Sequence, residues 1–218
     1  MDAWTSNTVQ AADRVSAFLW KVYGWMAIGL GLTALVAFAV AGSPDLLRVL
    51  VGNRLVFFLS SRAQSLAPST AALLFVAYSA LTGMTLSVVL LAYTGASLAT
   101  TFVVTAGMFA ALAVYGTTTA RSLAGVGQFF FMGLIGLVLA SLVGMFWHSD
   151  ALQFLISVVG VIVFTGLTAW DAQRLKQMAL AIPEGQAGGY AIVGALSLYL
   201  DFINLFLFLL RFLGNRRD

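Results

Sequence analysis

At 218 residues, 61% of them hydrophobic and only 9% charged, this chain is far from an ordinary soluble domain, in which about a quarter of residues are charged. It reads as one all-α integral membrane domain, with room for six or seven apolar crossings of ~20 residues and little else. A net charge of +3 without a basic patch argues against a nucleic-acid partner, the absence of cysteine excludes disulfides and thiolate metal sites, and the lone His148 cannot build a multi-histidine site.

The first 21 residues, with Asp13, Arg14 and Lys21, form a polar N-terminal segment, predicted cytoplasmic. The first span runs from about Val22 to Ala41. Its apolar core exceeds the roughly 7–15 residues of a signal peptide, so it is a retained anchor despite the Ala39-Val40-Ala41 triplet. The second span, Leu46 to Ser61, is interrupted by Arg48, Asn53 and Arg54. It is either a short helix or a longer one whose arginines snorkel outward.

From Ala63 to Ala120 there is no formal charge. That stretch suits two crossings, about Thr70–Ala92 and Ser97–Gly116, joined by a Tyr93-Thr94-Gly95 turn. A fifth span follows from about Gly127 to Trp147, with Trp147 and His148 suited to an interface, and a sixth from about Ala151 to Asp171. A loop with Arg174, Lys176, Pro183, Glu184 and the Gly188-Gly189 pair leads to a seventh, about Tyr190 to Phe212. The membrane domain is thus 22–214, with a short tail at 215–218.

Seven spans place Arg14, Lys21, Arg62, Arg121, Arg174 and Lys176 on one side, which the positive-inside rule makes cytoplasmic. Arg48 and Arg54 fall outside. Arg211, Arg216 and Arg217 dissent, and six crossings plus a re-entrant last segment would return them inside. Glycines at helical spacing, Gly133 with Gly136 and Gly160 with Gly166, together with Gly29 and Gly31, are candidates for close helix packing.

The candidate site residues are acids. Asp201 lies in the middle of the last span, where an ionised carboxylate costs at least ~2.5–3.5 kcal/mol and usually faces a bundle interior. Asp171 closes the preceding span, with Arg174 three residues on as a simple ion-pair partner. In a hairpin of these helices the two acids approach each other. Like carboxylates at close range cannot both ionise, so they share a proton and titrate as a pair. Ionised, they offer oxygen ligands suited to calcium.

Asn204 follows Asp201 by three residues and supports it from the same face. Arg62 is the candidate counter-charge, and Arg211 an interfacial anchor. No nucleophile–base arrangement or glycine-rich phosphate loop is present, so neither an enzymatic activity nor a resident cofactor is expected. Intramembrane aspartyl proteases also use two aspartates, within Tyr-Asp and Gly-x-Gly-Asp motifs. Here Trp170 and Leu200 precede the acids, so both motifs are missing.

Four segments resemble the Bax inhibitor-1 family in its bacterial branch: Lys21-Val22-Tyr23-Gly24-Trp25-Met26, the run from Tyr78 to Ser87, the run from Phe164 to Asp171, and, most specifically, Gly194-Ala195-Leu196-Ser197-Leu198-Tyr199-Leu200-Asp201-Phe202-Ile203-Asn204-Leu205-Phe206. The resemblance spans nearly the whole chain. It implies a seven-helix bundle with the last helix central, in a bacterial inner membrane, acting as a pH-sensitive passive calcium leak. Its aspartate pair corresponds to Asp171 and Asp201, and its second-helix arginine to Arg62 or, with a gap, to Arg54. The family's tyrosine before the first aspartate is Trp170 here. Some bacterial members are associated with a membrane-anchored ATP-dependent protease, so a regulator of such a partner is the alternative function.

Overall fold

The computed structural model describes residues 3–43, 68–147, 149–183 and 186–217. Among these residues there are six helices long and apolar enough to cross a membrane. They are α1 (Ala3–Ala41), α2 (Pro68–Ala92), α3 (Gly95–Thr118), α4 (Ala124–Phe146), α5 (Asp150–Ala181) and α6 (Ala187–Leu213). Hydrocarbon offers no water to an unpaired peptide group, so apolar stretches of this length close their hydrogen bonds within helices. The second span expected at Leu46–Ser61 lies outside the described residues, as do Arg48, Arg54, Arg62, Glu184 and His148.

Six of the seven expected spans coincide with helices, but two helices outrun their apolar cores. The polar N-terminal segment is no separate element, because α1 already begins at Ala3. Helix α5 continues to Ala181, so Asp171 lies well inside it and not at its end. Hydropathy marks where the membrane stops, whereas a helix stops where its backbone finds no further partner. Beyond Asp171, Gln173, Leu175 and Ala179 are buried, so the extension packs one face and exposes the other. Helix α6 is unbroken over 27 residues, long and apolar enough to cross a membrane.

The chain forms two compact units. The first contains α1, α2 and Gln177–Tyr199; the second contains Thr94–Lys176 and Leu200–Arg216.

In the first unit α1 buries Phe18, Val22, Met26, Thr33, Ala37 and Val40, a three-to-four-residue spacing completed by the buried Gly29, while α2 buries Ala71, Phe75, Ser79 and Ser87. Gly29 faces the Phe75 ring, and a Cβ on Gly83 would lie 2.5 Å from the Thr33 carbonyl oxygen. These contacts advance together along both helices, so α1 and α2 run parallel. The Thr33 hydroxyl donates to the Ser79 carbonyl at 2.9 Å. Its one hydrogen is thereby used, so in the 2.7 Å bond between Thr33 and Tyr199 the tyrosine is the donor. The Tyr199 ring stands edge-on to Phe75 and Tyr78. Arg217 N donates to the Ala92 carbonyl at 3.0 Å, which ties the C-terminal tail to the end of α2.

In the second unit, Thr94 caps α3 by accepting from Ser97 N, confirming the expected turn. Its own N–H donates to the Asn215 carbonyl at 3.1 Å. Leu137, Val163, Phe164, Leu167, Leu205 and Leu209 form the core. Gly160 faces the Phe208 ring, Gly166 faces Phe130, and a Cβ on Gly133 would meet Val163 at 3.2 Å. Gly136 and Gly31, expected to do the same, meet nothing within 4 Å among the described residues. Sequence spacing places glycines on one helix face without saying whether a neighbour covers it. Burial is uneven: 56% of the most apolar window of α6 is buried, against 11% for α4. Among the described residues α6 is thus the most enclosed of the six helices and α4 the least.

Candidate functional site: an acid pair on α5 and α6

Most hydroxyls inside the helices are spent locally and offer no polar route. Thr105 donates to Thr101 O, Ser141 to Leu137 O, Thr165 to Val161 O and Thr168 to Phe164 O, each one turn back. The acids differ. Asp201 is 6% exposed. Its Oδ2 is buried and has no hydrogen-bond partner among the described residues. Such an orphaned oxygen in a low-dielectric site is costly and calls for a functional account. The next residue, Phe202, packs edge-on against Phe102 and Phe109 of α3.

The charged neighbour that acts on Asp201 is Asp171. Asp171 on α5 and Asp201 on α6 therefore stand within electrostatic reach of each other. Asp171 is only partly buried, and its own charged neighbour is Arg174. That arginine is exposed, with its guanidinium carbon 5.6 Å from the centre of the Trp170 ring. Trp170 therefore holds the cation beside Asp171 by a cation–π contact.

Residues 169–176 of α5 are held from two sides, and sequence reasoning did not single out the residues that do so. A Cβ on Gly116 of α3 would run into the Ala169 carbonyl oxygen, and one on Gly127 of α4 would enter the Trp170 ring. The bare glycines thus let α3 and α4 approach the turn that carries Asp171. The Gln173 side chain accepts from Leu123 N at 2.7 Å and donates to Arg121 O at 2.8 Å. Lys176 Nζ donates to Thr117 O at 2.7 Å, satisfying a carbonyl at the end of α3. The sequence signal for this clamp was slight: a glutamine two residues after the acid, in a run already assigned to a loop.

The other candidates are placed apart. Asn204 donates to Leu200 O at 2.8 Å, and its side chain lines a groove of about 290 Å³ with Leu134, Ser141, Phe164 and Phe208. Arg211 is exposed and donates to Gln153 Oε1 at 3.1 Å. Ten residues along α6 from Asp201, about 15 Å of helix, it is not part of the acid cluster. Arg62 and Arg54 lie outside the described residues.

Among the described residues there is no cluster of three or more histidine, cysteine or acidic side chains that could hold a metal. Two carboxylates supply at most four oxygens, while calcium takes 6–8. The pair suits a passing, partly hydrated cation better than a resident one.

Comparison with known proteins agrees with the fold. The family described as "Inhibitor of apoptosis-promoting Bax1" matches residues 15–218. The chain is 48% identical to the inner membrane protein YbhL of Escherichia coli (strain K12), over 98% of this chain and 97% of that protein. It is 43% identical to an uncharacterized protein of Borreliella burgdorferi, over 92% and 93% of the respective lengths, and 38% identical to the Lactococcus lactis protein YrjE, over 94% and 93%. With its signature helices, its buried acid and a match along nearly its whole length, this membrane protein belongs to the Bax inhibitor-1 family.

Proposed function

We propose that the protein is a passive, pH-sensitive calcium leak of the bacterial inner membrane, gated by Asp171 and Asp201. The observation that carries this reading is the orphaned, buried Oδ2 of Asp201, set within electrostatic reach of a second carboxylate. A shared proton lets one acid donate a hydrogen bond to the other and holds α5 to α6 at that level. Loss of the proton leaves two like charges that repel and two anionic groups that attract a divalent cation. Both effects act in the same direction, so flux rises with pH. Neither ATP nor a coupled ion takes part.

The test is calcium flux into liposomes that enclose a calcium-sensitive dye and carry the purified protein. Dye signal should rise with external calcium, and faster at pH 8 than at pH 6. Flux no faster than that of protein-free liposomes, anywhere in that range, removes the leak and leaves the alternative, a regulator that binds a membrane-anchored ATP-dependent protease.

The same reading carries seven crossings with a cytoplasmic N-terminus. Support comes from the first unit. Arg14, early in α1, donates to Ile182 O, whereas Arg217 bonds Ala92 at the far end of the parallel α2. The two termini thus lie at opposite ends of the α1–α2 pair. Two parallel spans also require the chain between them to return across the bilayer, which is the crossing the sequence leads one to expect between them. A periplasm-active reporter is expected to work when fused to the C-terminus and to fail at the N-terminus. Cytoplasmic signals from both ends would contradict the seven-span count.

A further inference from the structure

A cleft of about 220 Å³ opens in the first unit, lined by Arg14, Phe18 and Lys21 of α1, by Ala179 and Ile182 at the end of α5, and by Ala187 at the start of α6. Arg14 and Lys21 are seven residues apart on α1, two turns along one face. The cleft has a cationic lip and an apolar floor, since Phe18, Ala179 and Ile182 are buried while both cations are exposed. Among the described residues the lining holds no carboxylate, and Asp13, next to Arg14, is not part of it.

The depth of this cleft is set by its neighbours. Lys21 is the last charge before the uninterrupted apolar run from Val22 to Ala41, so it stands at the hydrocarbon boundary. Trp20 beside it is 76% exposed, as expected of the aromatic belt at headgroup level. Arg14 lies about 10 Å further out along the helix. Together the cations bracket the headgroup layer, which is roughly 5–8 Å thick on each side of the hydrocarbon core. Arg14 Nη2 donates to the Ile182 carbonyl at 3.1 Å, which holds the guanidinium at the cleft and leaves its other N–H groups to bind. A planar fork beside an ammonium is the donor set that recognises phosphate oxygens. The cleft falls below the roughly 300–1,000 Å³ of drug-sized pockets. That scale fits a headgroup fragment, not a nucleotide.

We infer that this cleft binds the phosphate of an anionic phospholipid, with Arg14 and Lys21 on the headgroup and Phe18, Ala179 and Ile182 against the glycerol and first acyl carbons. The occupant is a membrane lipid and not a free anion, because the floor is apolar and the lip lies at headgroup depth. This site is independent of the acid pair.

The full-length protein in neutral detergent should retain phosphatidylglycerol on the order of tenfold more tightly than phosphatidylcholine in native mass spectrometry, as two cations near an anionic headgroup produce. The Arg14→Gln/Lys21→Gln double variant should bind the two lipids alike. Arg216→Gln/Arg217→Gln, at the other end of the chain, should keep the full preference. Arg14 also anchors Ile182, so Lys21→Gln alone provides a milder variant at an exposed site. It should lose about threefold of the preference with its lipid-free melting temperature unchanged. A wild type without preference, or a double variant that retains it, would overturn the site. Inorganic phosphate that displaces phosphatidylglycerol at equal concentration would overturn the lipid assignment.

Discussion

Asp171→Asn and Asp201→Asn are each expected to abolish most of the pH dependence of calcium flux between pH 6 and 8. Asparagine keeps the shape of the side chain and removes one ionisation, so the remaining acid no longer shares a proton or meets a like charge. One titrating proton changes flux by at most about tenfold per pH unit. In each single variant the ratio of flux at pH 8 to flux at pH 6 should fall toward one. The Asp171→Asn/Asp201→Asn double variant should add little further change, because the two acids act as one unit. Arg211→Gln, which removes a bond to Gln153 some 15 Å along the helix, should leave the profile as it is. If both single variants keep the wild-type pH profile, the acids are structural and the gate lies elsewhere. The buried position of Asp201 makes it the more sensitive of the two, whereas Asp171 is partly exposed and has Arg174 nearby.

The largest effect on stability is expected at Gly116. An alanine there drives its Cβ into the carbonyl oxygen and carbon of Ala169 and close to the Ala172 methyl. All of these belong to α5 itself or to a side chain with no rotamer to change, so α3 has to move away. Overpacking against a rigid backbone costs about 3 kcal/mol, seen as an earlier unfolding midpoint in a denaturing-detergent titration of the purified protein. Gly136→Ala is the matched control. Its Cβ meets nothing within 4 Å among the described residues, and alanine is better than glycine in a helix by about 1 kcal/mol, so that variant should be neutral or slightly more stable. Equal stability of the two variants would mean that α3 and α5 are not packed backbone to backbone at this point.

The membrane class, all six described helices and the burial of Asp201 inside the last of them were legible in the sequence. The physical reason is the same in each case. Lipid leaves an apolar segment no option but a helix, and it makes an acid within such a segment too costly to be incidental. The signature around Asp201 also pointed to the Bax inhibitor-1 family, which the match over residues 15–218 bears out. Helix ends were less legible, because α1 and α5 continue on polar residues that hydropathy assigns to loops. What only the tertiary structure decided is which small or polar residues meet a neighbour. Gly133 and Gly136 look equivalent in sequence, yet one faces Val163 and the other meets nothing within 4 Å among the described residues. Gln173 and Lys176 read as loop residues until the extension of α5 sets them against the ends of α3 and α4. Asn204, expected to support Asp201, returns its amide to its own helix. Periodicity along one chain fixes the face a residue occupies, but the chemistry of that face depends on what a distant segment brings to it.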